Sequence, residues 1–175
     1  MDNGLVIWLT GLAGSGKSTV SRALYNTIRS QYCQVIYLDG DELRDILGHY
    51  GYDKQGRIEV SLKRSKFANF LSKQGMIVIV SAISMFKEVY AYNRATLPNY
   101  FEVYIQCDMQ ELIKRDQKGL YSKALRGLEK NVVGIDIAFD EPNPHLVIHN
   151  TIPNCLDEKA HCIVDNVRHL LPKIS

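Results

Sequence analysis

The feature that most constrains this chain is the run Gly11–Ser18, G-L-A-G-S-G-K-S, a full match to the pattern G-x-x-x-x-G-K-[ST]. It stands between the apolar run Leu5–Leu9 and a segment, 18–30, in which Val20, Ala23, Leu24 and Ile28 recur at helical spacing. Gly11, Gly14 and Gly16 let the backbone curl so that several N–H groups converge, and a helix starting near Lys17 aims its positive dipole end at the same point. Such a loop, with Ser15 in it and Thr19 just after it, is a cradle for the phosphates of a nucleotide. Lys17 can bridge the β- and γ-phosphates, and the Ser18 hydroxyl is placed to ligate Mg²⁺. The G-x-G-x-x-G spacing of a dinucleotide site is absent.

The rest of the chain continues the alternation. Val35–Leu38, Met76–Ala82, Phe101–Cys107 and Leu146–His149 read as strands. Helices are predicted over 42–47, over 59–74 with Val60, Phe67, Phe70 and Leu71 inward, and from Asp157 until Pro172 stops it. Strand–helix alternation predicts an α/β fold, a parallel sheet of five strands covered on both faces, within one domain spanning 1–175. Ligands then bind beyond the carboxyl ends of the strands. The stretch 114–143, rich in charge and glycine, fits no simple element and reads as a flap over the site.

Composition narrows the classes. Twenty-one Lys and Arg against 19 Asp and Glu leave a formal charge of +2, which argues against charge-driven nucleic-acid binding. The longest apolar stretch, Met76–Phe86, is far short of the ~20 residues that span a bilayer, so no membrane partner is expected. No leader pattern is visible. Cys33, Cys107, Cys155 and Cys162 form no C-x-x-C pair and fit reduced thiols in a cytoplasmic protein.

Phosphate-loop proteins divide into switches, motors and kinases. No N-K-x-D is present, and the D-x-x-G of Asp116–Gly119 follows the fourth strand, where a switch would not place it. The third strand ends in Val80, Ser81 and Ala82, without the acid that motors and GTPases set near Mg²⁺. The second strand instead ends in Leu38-Asp39-Gly40-Asp41. Residues two apart in extended chain share a face, so both carboxylates could enter one site. One would organise Mg²⁺ or its waters and the other would accept a hydroxyl proton, as transfer to an alcohol requires. The bland alternative is that Asp41 caps the helix after it.

With these pieces the chain resembles the adenylylsulfate (APS) kinase family over nearly its whole length. The likeness rests on Gly11–Thr19, on Leu38–Arg44 (L-D-G-D-E-L-R), on Ile83 and Ser84, on Arg115–Tyr121 (R-D-Q-K-G-L-Y), on Gly134–Asp136, and on Glu141 with Pro142. The resemblance implies a three-layer P-loop kinase fold with a lid at about 115–140. It implies ATP and Mg²⁺, a small nucleotide acceptor phosphorylated on its 3′-hydroxyl, and a homodimer. By position, Asp41 resembles the catalytic base and Asp39 its metal- and substrate-steadying partner. Arg44 and Arg57 resemble the arginines that hold the acceptor's anionic groups. Lys118, followed by Gly119 and Leu120, resembles the lid lysine, and Arg115 the lid arginine over ATP.

Three departures fall on the acceptor side. The aromatic of the family's G-F-S is kept as Tyr52, but the Phe of its N-F-T-G-I-D is Val132. One of two aromatic walls for the base is therefore lost, a stacking contribution of ~1–3 kcal/mol. The asparagine of the substrate helix is Val60, and the arginine pair after it is Leu62 and Lys63. The family's I-S-P-F-R is Ile83, Ser84, Met85, Phe86, Lys87. The resemblance leaves adenylylsulfate as the expected acceptor. A relative that phosphorylates the 3′-hydroxyl of cytidine diphosphoramidate in capsule modification is the alternative. A non-catalytic nucleotide-binding module is the reading from another class.

Overall fold

The computed structural model describes residues 4–48, 50–152 and 154–172; the outermost positions of the expected 1–175 domain, 1–3 and 173–175, lie outside them. Five strands form one sheet: β1 (Leu5–Thr10), β2 (Val35–Asp39), β3 (Ile77–Ala82), β4 (Tyr100–Gln106) and β5 (Leu146–His149). Their order is β2-β3-β1-β4-β5 and every pairing is parallel. β1 is central, in register with β3 from Leu5 opposite Ile77 to Thr10 opposite Ala82. All of β1 and β3 is buried, which is why both read as unbroken apolar runs rather than alternating ones.

Alternate residues feed two cores. Val6, Trp8, Val78 and Val80 face one side with α3 (Lys54–Ser72) and α4 (Lys87–Thr96). Leu5, Ile7, Leu9, Ile77 and Ile79 face the other with α1 (Lys17–Arg29) and α7 (Leu156–Val167). The carboxyl ends of all five strands lie along one edge, so the loops after them converge there. No helix among the described residues is long and apolar enough to cross a membrane.

Two elements differ from expectation. α3 begins earlier, at Lys54, because Asp53 caps it by accepting a hydrogen bond from the Gly56 amide at 2.8 Å. Its inward face is not the aromatic one. Val60, Ser61, Arg64, Ser65, Ala68 and Ser72 are buried, whereas Phe67 and Phe70 are 37% and 62% exposed. Small side chains let the helix lie close to the sheet, and Ser65 hides its hydroxyl by donating to the Ser61 carbonyl. α4 is an addition to the expected helices; only Val89, Tyr90 and Asn93 of it are buried, too weak a stripe beside the apolar run that precedes it.

The segment without a clear prediction is ordered. α5 (Met109–Arg115) leads through a short 3₁₀ turn, Gln117–Gly119, into α6 (Leu120–Leu125). A loop follows that buries Val132, Val133 and Ile137 in the first core. The Asp136 carboxylate ties this loop by accepting from the amides of Asn131 (2.7 Å) and Val132 (2.6 Å). α2 (Gly40–Leu47) completes the set.

Candidate active site

The convergence edge holds a cavity of about 910 Å³ whose wall includes Gly14, Lys17, Ser18, Asp39, Asp41, Arg44, Tyr52, Arg57, Ile83, Lys118, Leu120 and Val132. A second cavity of about 560 Å³ opens beside it, sharing Gly14, Lys17 and Ser18, and is walled by Gly16, Thr19 and Arg115. Residues far apart in the chain thus come to two adjoining chambers that meet at the phosphate loop.

The loop's own geometry explains its role. Gly16 precedes α1 at φ 89°, a left-handed conformation that favours glycine, and contributes no side-chain cap. The first amides of α1 are left to face an anion, with no acidic residue in that turn to compete. Gly11 is closely backed: a Cβ there would lie 2.6 Å from the Ile105 carbonyl oxygen. Ser15 is buried behind the loop, and its carbonyl accepts from Asn150 Nδ2 at 2.6 Å. Lys159 in turn donates to Asn150 Oδ1 at 2.7 Å. Asn150 does not stand out in the sequence; its position just past β5 is the signal that could have found it.

Lys17 is partly exposed as a residue, yet its ammonium sits deep among protein atoms. Burial pushes its pKa down to about 8, against the opposing pull of Asp41 and Asp39.

The two carboxylates meet differently from the expected strand geometry. Asp39 is the last residue of β2 and the N-cap of α2, accepting from the Asp41 amide at 2.9 Å; Asp41 is in the helix's first turn and exposed. The cap is therefore Asp39, not Asp41, and a strand-to-helix turn brings both to the cavity. Burial raises the Asp39 pKa, but hydrogen bonds from Tyr37 (2.8 Å) and from the amides of Asp41 and Glu42 outweigh it, holding the carboxyl below its usual range. Tyr37 is pushed up to about 12, by burial first and then by Asp39.

Among the described residues no group of three or more His, Cys, Asp or Glu could cage a metal alone. The donors present are hydroxyl and carboxylate oxygens, Ser18 and Asp39, with the Ser81 hydroxyl 3.4 Å from that of Ser18. Hard oxygen ligands, few in number, suit an Mg²⁺ that keeps waters and shares a nucleotide's phosphates.

On the acceptor side, the Arg44 guanidinium lies 4.1 Å from the Tyr52 ring centroid and donates to the Tyr50 and Gly51 carbonyls. Arg57 bridges two segments, donating to the carbonyls of Tyr52 and Asn131. Burial, then the like charge of Arg44, lowers its pKa. Val132 is 3% exposed yet reaches the wall, whose one aromatic side chain among the described residues is Tyr52. Ser84 departs from expectation: its side chain is fully buried, accepts from Trp8 Nε1 at 2.8 Å and does not line the cavity, whereas Ile83 does. In the lid, Lys118 lines the cavity in a left-handed conformation, φ 59°, beside Gly119 at φ 68°. Tyr121 is buried and donates to the Ala13 carbonyl of the phosphate loop at 2.8 Å. Arg115 donates to the carbonyls of Gly14, Asn150 and Thr151 and to Glu111. It thereby locks the lid base onto the loop. Arg64, a further cavity residue, reads in the sequence as one charge among several.

Comparison with known proteins agrees with this geometry. The family model described as adenylylsulphate kinase matches residues 3–149. A cytidine diphosphoramidate kinase of Campylobacter jejuni is 61% identical over 163 residues, covering 93% of this chain and 96% of its own. An adenylyl-sulfate kinase of Chloroflexus aurantiacus is 41% identical over 162 residues, covering 89% and 86%. The solved APS kinase of Mycobacterium tuberculosis, in complex with AMPPNP and APS, superposes with a TM-score of 0.87 at 32% identity, covering 96% of this chain and 99% of that one. The match runs along most of the length, and the chain belongs to the adenylylsulphate kinase family.

Proposed function

We propose that this protein transfers the γ-phosphate of ATP to the 3′-hydroxyl of cytidine diphosphoramidate. The observation that carries the acceptor is the relative of that name, 61% identical along 93% of the chain, against 41% for an adenylyl-sulfate kinase. The pocket supports it: Tyr52 is kept, Val132 replaces an aromatic wall, and a pyrimidine asks for less stacking surface than a purine. Adenylylsulfate, the acceptor expected from the sequence, is the second reading, favoured by the APS-bound structural neighbour.

In this reading the amides of the phosphate loop and Lys17 hold the β- and γ-phosphates in the smaller chamber, with Arg115 at its mouth. Ser18 would hold Mg²⁺ and Asp39 would steady it or its waters, and the ion would supply charge neutralisation on the phosphates. Asp41 accepts the proton of the 3′-hydroxyl as that oxygen attacks in line. Tyr37 keeps Asp39 ionised and aimed. Arg44 and Arg57 grip the acceptor's anionic end, Ile83, Leu120 and Val132 shape its berth, and Lys118 meets the phosphates from the lid; Gly119, expected in the berth, does not line the cavity and serves the turn beside Lys118 instead.

The test is a coupled ADP-release assay with both acceptors, run on the wild type and on Val132→Phe. A higher kcat/KM for cytidine diphosphoramidate is expected. The substitution should raise KM for that acceptor and lower it for adenylylsulfate, the fall being about 5- to 150-fold if a stacked ring contributes ~1–3 kcal/mol. Preference for adenylylsulfate in the wild type would hand the function to the second reading. ATP bound with no transfer to either acceptor would favour a non-catalytic module.

A further inference from the structure

Arg64 is a buried cation with no direct ion pair among the described residues, although Asp41 and Asp39 act on it from farther off. It is 3% exposed, lies in the middle of α3 and lines the larger cavity. Its Nη2 donates to the Gly40 carbonyl at 2.8 Å, while Nε is buried with no partner. Among the described residues no carboxylate lies within 4 Å of it. Burying an unpaired charge is costly, so an anionic ligand that completes this group is strongly favoured there.

Its neighbours indicate which ligand. Arg57, Val60 and Arg64 occur at i, i+3 and i+7 of α3, one face of the helix, and all three line the cavity. Burial first, then the like charge of Arg44, lowers the pKa of both Arg57 and Arg64, while Asp41 pulls the other way on both, Asp39 on Arg64 and Asp136 on Arg57, so three guanidinium groups and these carboxylates act on one region of the acceptor side. None of the three is paired with a carboxylate among the described residues. Val60, between Arg57 and Arg64, cannot hydrogen-bond an oxygen. Lys63 turns away: it is exposed, with its ammonium 4.8 Å from the Tyr50 ring. The positive charge of this turn therefore enters the cavity from Arg64. Seven residues at 1.5 Å rise separate Arg57 from Arg64 by about 10 Å along the helix. From positions two turns apart, two long side chains can converge on neighbouring anionic groups of one ligand.

We propose that Arg64 is a specificity-determining residue that holds the distal, second phosphorus-bearing group of the acceptor, while Arg57 and Arg44 hold the group next to the ribose. The inference rests on the acceptor reading above. Arg64's bond to Gly40, the residue between Asp39 and Asp41, couples occupancy of this subsite to the position of the two carboxylates. A ligand that fills the subsite completes the buried cation and steadies that turn together.

The experiment compares acceptors with and without the distal group. Steady-state kinetics are measured with cytidine diphosphoramidate and with cytidine 5′-monophosphate for wild type, Arg64→Lys and Arg64→Met, with melting curves to verify folding. Arg64→Met should raise KM for the diphosphoramidate on the order of 10- to 100-fold, the loss expected for a charge-assisted hydrogen bond. KM for the monophosphate and for ATP should stay within about twofold, and Arg64→Lys should lie between. An equal loss on both acceptors would show that Arg64 only braces Gly40 and would overturn the proposal. If the wild type prefers adenylylsulfate, the acceptor reading fails, but adenylylsulfate against adenosine 5′-monophosphate poses the same question of Arg64. If no acceptor turns over, calorimetric binding of the same pairs to protein holding a non-hydrolysable ATP analogue gives the ratio of affinities directly: a loss confined to the diphosphoramidate supports the proposal, and an equal loss overturns it.

Discussion

At the scale of single residues, the proposed reaction divides one task between Asp39 and Asp41, which stand in two environments. Asp39 is fixed by Tyr37 and two backbone amides, a carboxylate built to stay ionised and still. Asp41 is exposed toward the cavity and free to meet a hydroxyl. Asp41→Asn should keep ATP binding and lose roughly 10²- to 10⁴-fold in kcat, the usual contribution of a general base. A mild Asp41→Asn beside a damaging Asp39→Asn would reverse the two roles. Lys17 provides a pH signature. Its native pKa is about 8 against 10.5 for an ordinary lysine. Below pH 8 both native and unfolded chains carry the proton. Between about 8 and 10.5 the unfolded chain still holds it and the native site does not, so this group's contribution to stability rises with pH there. A bound phosphate restores the charge. Nucleotide binding at about pH 9 should therefore take up a proton, and affinity should fall as pH climbs through that window. Calorimetry in two buffers of different ionisation heat measures the uptake; none at that pH, or the same uptake in Lys17→Met, would refute it.

At the scale of elements, the strands are legible in the sequence and the helices less so. Every strand stands within a residue of its apolar run; β1 and β3, buried on both faces, must be apolar throughout, and the edge strands β2 and β5 are marked by short β-branched runs. α3 misleads for the opposite reason. Its close packing selects serine and alanine inward and leaves Phe67 and Phe70 outside, so hydrophobicity points to the wrong face. The same inversion hides Arg64, whose buried charge looks in sequence like part of a solvated Lys-Arg cluster. The shared-face reading of Asp39 and Asp41 fails on backbone geometry: a strand ends and a helix begins between them. What positions Arg57 is the start of α3, and that start depends on Asp53. Asp53→Ala should cost about 1 kcal/mol, the value of an N-cap, or roughly 2–4 °C in Tm for a chain of this size. It should also raise KM for the acceptor more than for ATP. A variant with unchanged melting would mean that the cap is not what holds this end of the helix.

At the scale of the whole molecule, two chambers share one floor and one roof. The floor is the phosphate loop; the roof is the lid, anchored by Tyr121 and Arg115 to the same loop's carbonyls. Its far part, 125–131, is largely exposed and includes Leu125 and Leu128 at 58% and 71%. Cleavage there by a protease should slow when ATP analogue and acceptor are both bound, and less with either alone; equal rates in every state would exclude closure of this segment over the ligands. The phosphate loop is also held from behind. Asn150 clasps Ser15 and is itself clasped by Lys159 of α7, both beyond the last residue matched by the family model. In mechanical terms, the loop is a spring whose stop, Lys159, lines neither chamber. Its stiffness can be tuned by changes on a peripheral helix that touch neither nucleotide, so two members of this family could share every residue that meets the substrates and still differ in how tautly they hold a phosphate.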